Sequence, residues 1–156
     1  QLDEFILHIP DDLMMTSTAV QQMEPTILNM TQVANALGMK SGEKLTQHAI
    51  LSVSVLEQRY RGNSAFFGPY IDTLPRSLSH IPMFYSPEEQ HHLRGSSVTE
   101  LATATQQSVA RQWENIIRLH PSFKERHTLD DFLWAYGNVA SRAFTKPLRK
   151  DKDDDT

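Results

Sequence analysis

Residues Thr128–Phe144, TLDDFLWAYGNVASRAF, decide how the chain is read. Thr128 is suited to cap a helix, and Asp131, three residues on, can reach back in a variant of the capping box. Asp130 and Asp131 suit the positive end of a helix dipole, and Arg142 suits the negative end. Leu129, Phe132, Ala135, Val139 and Ala140 recur at helical spacing, so one face is apolar. From these residues alone the stretch is an amphipathic helix with a favourable charge at each end, of the kind that usually packs on a core.

Helical signals continue toward the N-terminus. Ser97–Leu119 predicts the longest helix, with Val98, Leu101, Thr105, Val109, Gln112 or Trp113, and Ile116 on its buried face. His120-Pro121 ends it. Ser86-Pro87-Glu88-Glu89 carries a cap, a proline at the first helical position and a box-closing glutamate. The helix it starts is short and ends near Gly95. Asn63–Pro75, NSAFFGPYIDTLP, predicts a short helix and turn in which Phe66, Phe67, Tyr70, Ile71 and Leu74 pack together. Glu43–Tyr60 predicts a helix with Leu45, Ala49, Val53, Leu56 and Tyr60 on one face, terminated at Gly62. Thr16–Met23 reads as a short helix broken at Pro25, and Thr31–Met39 is weakly periodic. Glu4–Pro10, EFILHIP, reads as an apolar strand that stops at its proline. A lone strand is not a stable sheet, so this one calls for a pairing partner. The expected fold class is mainly α, with one or few strands.

Composition narrows the function. The chain has 156 residues, 39% hydrophobic and 22% charged, with a net charge of −4. That length suits one domain with a real core. Much of the negative charge sits in Asp151–Asp155, so the body is close to neutral. A nucleic-acid binder would need a basic face to neutralise phosphates, and none is expected. No apolar run is long enough to span a bilayer, so no membrane partner is expected. With no cysteine, a disulfide framework and a cysteine zinc site are excluded. His91-His92 is the one pair that invites a metal. Adjacent helical residues point in different directions, so it is poor ligand geometry, and no metal is expected. Phosphate-cradling glycine arrays and a nucleophile elbow are absent from the sequence. The residues 145–156 should form a polar, acidic loop or tail.

Three segments carry a resemblance. Asp130, Asp131, Phe132, Trp134, Ala135 and Arg142 resemble the helix leading into the second half of the SET domain. The family is the one that holds the plant Rubisco large-subunit lysine methyltransferase and the actin-histidine methyltransferase. Phe67, Pro69, Tyr70, Leu74, Pro75, Tyr85, Glu88 and Glu89 are similar, almost without gaps, to the stretch that opens that family's helical insert, one wall of its substrate cleft. EFILHIPDDLMMT resembles the family's apolar strand followed by a proline and a Leu-Met-Thr. The likeness runs in order from about Glu4 to Phe144 and is weakest over Gln22–Met39.

The resemblance implies a partition: 1–40 as the start of a SET-like core, 41–144 as a helical insert, and 145–156 as the tail. It implies S-adenosylmethionine as cofactor and a protein or peptide as substrate. It assigns Arg142 to the cofactor, whose carboxylate suits a guanidinium fork. Arg111 matches an arginine beside the substrate groove. Phe144 matches a phenylalanine of the plant lysine enzyme, where the histidine-methylating member has an asparagine. An apolar ring suits a neutral, desolvated lysine amine, so lysine is the implied target and histidine the alternative. The family's glycine-containing cofactor loop precedes the matched region, and its Asn-His motif and late tyrosine follow it. No catalytic residue is therefore expected between Gln1 and Thr156. Methyl transfer rests on in-line positioning and exclusion of water. A non-catalytic helical peptide-binding module is the other reading. Chloroplast, cytoplasm and nucleus all remain open as compartments, as does the oligomeric state.

Overall fold

A computed structural model describes residues 9–40 and 43–143 of the chain. Among them are seven α-helices and no strand: α1 (Ser17–Met23), α2 (Pro25–Ala36), α3 (Gln47–Arg61), α4 (Gly68–Asp72), α5 (Pro87–His92), α6 (Ser97–Leu119) and α7 (Leu129–Arg142). Short 3-10 turns link several of them. The fold is mainly α, as the periodicity predicts. The strand expected over Glu4–Pro10 lies outside the described residues but for Ile9 and Pro10, which belong to no regular element. The tail at 145–156 also lies outside them.

The centre of the fold is α3. It packs against α7 most extensively, and also against α1, α2 and α4. Thr46 caps it, its Oγ1 accepting the Ala49 N–H at 3.2 Å, so the helix starts later than the expected Glu43. The Thr46 N–H donates to Gln112 Oε1 at 3.0 Å, which ties the start of α3 to α6. Gly62 ends the helix at φ 57°, a left-handed conformation that favours glycine.

The one-faced stripe expected for α3 is incomplete. Ala49, Val53 and Leu56 are buried as expected, but so are Ile50, Val55, Ser52 and Ser54, while Tyr60 is 64% exposed. The small serines let neighbouring helices approach, and helices pack on α3 from several sides. Ser52 satisfies its hydroxyl internally by donating to His48 O at 2.6 Å.

Two further faces differ from the sequence pattern. On α6 the core takes Ala102, Val109, Gln112, Ile116 and Leu119, whereas Val98 is 41% and Leu101 69% exposed. Ala102, Val109 and Ile116 repeat every seven residues along one buried stripe; Val98 stands at its open first turn and Leu101 falls beside it. Around α4, Phe67, Ile71 and Leu74 are buried while Phe66 and Tyr70 face solvent. Pro25 separates α1 from α2 by taking the first position of the second helix rather than ending structure. Val20, Ile27, Met30 and Ala34 from these two helices join the same core as Val53, Ile116 and Phe132, so one apolar cluster includes helices on both sides of position 40.

Gly137 shows how tightly the 78–84 segment lies on α7. A Cβ there would fall 2.7 Å from Leu78 Cδ1 and 2.8 Å from Phe84 Cε2. Alanine would gain about 1 kcal/mol of helix propensity but would overpack a site where that costs about 1–3 kcal/mol. Gly137→Ala is expected to lose roughly 1 kcal/mol net in urea denaturation. An increase in stability would show that the segment moves aside freely.

Candidate functional site

The site is built on α7 and the segments that lean on it. The expected capping box forms: the Thr128 N–H donates to Asp131 Oδ2 at 2.9 Å, and the Asp131 N–H to Thr128 Oγ1 at 3.1 Å. Burial alone would raise the Asp131 pKa, but the hydrogen bonds its carboxylate accepts from the Thr128 N–H and hydroxyl, with the Arg59 charge, hold it below its ordinary value. Phe132, Ala135 and Val139 face the core, Leu129 is half-buried, and Ala140 is exposed rather than part of the apolar face.

Arg142 is the last residue of α7 and is exposed. Its Nη1 donates to Ser141 Oγ at 2.7 Å, and among the described residues no carboxylate pairs with it. Arg111 is exposed on α6 and likewise lacks an ion-pair partner among the described residues. No hydrogen bond or ion pair joins the two arginines. Phe144 lies outside the described residues.

The structure does bring together two segments singled out in the sequence. Trp134 Nε1–H donates to the Pro75 carbonyl at 2.9 Å, across 59 residues. The Arg59 guanidinium lies 4.4 Å from the Trp134 ring centroid, within cation–π range. The Leu74-Pro75 turn is therefore tethered to the middle of α7. Phe67 anchors the same segment from inside, its N–H donating to Gln58 Oε1 at 3.1 Å. Downstream, Ser86 and Glu89 form the expected capping box, which holds the Glu89 pKa below its ordinary value.

Two polar clusters escape the sequence reading. Glu57 is buried on α3, where its Oε1 accepts from Arg126 Nη2 at 2.8 Å and lies 3.3 Å from His127 Nε2. Burial would push its pKa up. The hydrogen bonds from His127 and Arg126, with the Arg126 charge, outweigh that and lower it to about 2. Glu24, also buried, receives hydrogen bonds from Gln58 and Arg61. Each cluster joins α3 to a segment far away in sequence, and both act as internal ties. The sequence offers only a glutamate on the apolar stretch of α3 and another at the cap between α1 and α2, neither of which names its partner. Asn138, buried on α7, donates from Nδ2 to Trp134 O at 3.1 Å.

His91 and His92 are exposed, with ring centroids 6.1 Å apart and planes at 83°. Among the described residues no three histidine, aspartate or glutamate side chains converge on a point that would hold a metal ion. No described helix is long and apolar enough to cross a membrane. A concavity of about 140 Å³ opens between α1, α2, α3 and the end of α6, lined in part by Met30, Ala34, Lys44 and Leu119. Neither Arg111 nor Arg142 lines it.

Among known proteins the chain is similar to two chloroplastic N-methyltransferases and to a SET-domain-group protein. It is 29% identical over 101 residues to the chloroplastic fructose-bisphosphate aldolase-lysine N-methyltransferase of Arabidopsis thaliana, covering 62% of this chain and 20% of that protein. To the chloroplastic Rubisco large-subunit N-methyltransferase of Nicotiana tabacum it is 28% identical over 101 residues, with the same coverage. Protein SET DOMAIN GROUP 40 of Arabidopsis thaliana matches at 26% over 149 residues, 92% of this chain and 28% of that protein. The matched regions thus span about a fifth to a quarter of these curated relatives. No family model and no solved structure matches the chain.

Proposed function

We propose that the chain is part of an S-adenosylmethionine-dependent protein-lysine N-methyltransferase of the SET class. In this reading its helical body, 41–144 with the helices before it, forms a wall of the substrate cleft and contributes to the cofactor site. The observation that carries this reading is the pair of matches to enzymes named as N-methyltransferases, one of them a lysine N-methyltransferase, together with the SET-named match along 92% of the chain. The Trp134–Pro75 tether supports it, because it unites the two segments whose motifs resemble that family.

Bound S-adenosylmethionine supplies an electrophilic methyl group. The residues here would hold and orient. Arg142, exposed and without a carboxylate partner among the described residues, fits the cofactor's carboxylate. Arg111 would line the substrate groove, and Phe144 would place an apolar ring near a neutral lysine amine, favouring lysine over histidine. Two of the relatives carry the chloroplast in their names, which makes that compartment the one to examine first.

Calorimetric titration with S-adenosylmethionine, on the longest natural polypeptide containing this sequence, tests the proposal. Cofactor binding is expected, weakened about 10- to 100-fold in Arg142→Ala, the loss of a charge-assisted bidentate contact. Peptide binding with no cofactor binding at all would favour the non-catalytic module instead.

A further inference from the structure

We infer that the Arg59–Trp134 stack is the anchor for an acidic segment of a partner protein. Arg59 lies in the last turn of α3 and is exposed. Its guanidinium sits 4.4 Å from the Trp134 centroid, and the indole is itself fixed by its hydrogen bond to Pro75 O at 2.9 Å. A guanidinium laid on an aromatic face keeps its in-plane N–H donors free and loses little further freedom when it meets a carboxylate. Such a donor set is most often met by a neighbouring acid. Here the nearby acid, Asp131, feels the Arg59 charge but makes no ion pair with it, because its Oδ2 is held by the Thr128 N–H at 2.9 Å and the Thr128 hydroxyl at 2.7 Å. Among the described residues Arg59 makes no ion pair.

The surroundings favour the same kind of partner. Arg76 follows the carbonyl-bearing Pro75 directly and is exposed, with no ion pair among the described residues. Tyr60, next to Arg59, is 64% exposed and lies 5.4 Å beneath Arg126, whose charge Glu57 already answers. Arg59 and Arg76, exposed and without an ion pair among the described residues, therefore stand on a chain whose net charge is −4. Asp130 in the first turn of α7 opposes an acidic partner and sets a limit on how far it extends along that helix. The charge complementarity points to a stretch whose carboxylates meet the stacked Arg59 guanidinium over Trp134, with Arg76 following the tethered Pro75. Nothing in it depends on methyl transfer.

Fluorescence anisotropy with a labelled hexa-aspartate peptide, at low salt and without cofactor, is the test. Binding is expected, with a loss of about fivefold or more in Arg59→Gln. Arg59→Lys should lose nearly as much, because lysine keeps the charge but not the stacked fork. Arg94→Gln, at an exposed arginine after α5, is the control and should change affinity by less than about twofold. Hexalysine should not bind. Equal losses in Arg94→Gln and Arg59→Gln would reduce the effect to general electrostatics and overturn the proposal. Full retention in Arg59→Lys would remove the role of the stack, and absence of hexa-aspartate binding would remove the site. Thermal melts of each variant keep a folding defect distinct from a lost contact.

Discussion

Phe132→Ala is expected to cost about 3–5 kcal/mol in equilibrium denaturation, the range for truncating a fully buried aromatic ring. Phe132 is 0% exposed and stands where α7 meets α3 and α6, its ring centroid 5.8 Å from Trp113 and 6.3 Å from Tyr136. Removing it strips contacts from both neighbours and leaves a cavity that the helices, pinned by the Trp134–Pro75 bond and the Thr128 capping box, cannot easily close. A domain of this size has a total stability of about 5–15 kcal/mol, so the variant should be partly unfolded well below the wild-type midpoint. Phe66→Ala is the matched control: 58% exposed, it should cost under about 1 kcal/mol. Comparable losses in the two variants would mean that α7 does not pack as described. The prediction bears on function, because the same packing sets where α7 delivers Arg142.

The difference between Phe132 and Phe66 also shows what the sequence could and could not convey. Phe132 sits inside a complete local grammar: a cap, acids in the first turn, apolar residues at helical spacing and a terminal arginine. Each of those is a short-range feature, and all but the exposed Ala140 appear where expected. The same holds for the Ser86–Glu89 box and for α6, whose observed limits, Ser97–Leu119, are those its pattern predicts. Phe66 had no such context. Two aromatics in a row do not both face inward from one turn; Phe67, whose N–H donates to the buried Gln58 Oε1 nine residues back, is the one that joins the core. On α3 the failure has a different cause. Ser52, Ser54, Glu57 and Gln58 interrupt the apolar stripe, yet all are buried, because distant partners or small size make their burial tolerable. The partners lie up to 70 residues away, beyond the reach of any local pattern. Arg142 was legible as a helix-end charge, and its solvent-facing position agrees with that; the cofactor contact proposed for it rests on the resemblance. Arg59 was legible, with Arg61, as a charge suited to the C-terminal end of its helix, but its stack on Trp134 was not, because nothing local links a helix-end arginine to a tryptophan on another helix.

Glu57→Gln should reveal the second large effect, one that depends on pH. In the folded chain the carboxyl stays ionised down to about pH 2, against an ordinary value of 4.5. The folded state therefore releases the Glu57 proton more readily than the unfolded chain. Its contribution is complete above about pH 4.5 and disappears as pH falls from there toward 2. A separation of that size corresponds to roughly 3 kcal/mol. The physical source is one oxygen shared by Arg126 and His127, which holds the start of α7 against α3. Glutamine keeps the shape but leaves the Arg126 guanidinium facing a neutral amide, so at pH 7 a loss of about 2–3 kcal/mol is expected. It also removes the titration. Asp131 and Glu89 are held below their ordinary values as well and supply acid sensitivity of their own, so the variant's stability should still fall below pH 5, but less steeply than the wild type's. Urea denaturation at pH 7, 5, 4 and 3 measures both slopes. Parallel curves, offset by a constant, would show that Glu57 titrates alike in the folded and unfolded chains and that the buried ion pair does not hold it ionised. Convergence of the two curves toward pH 3 would locate the tie between α3 and α7 in that single carboxylate.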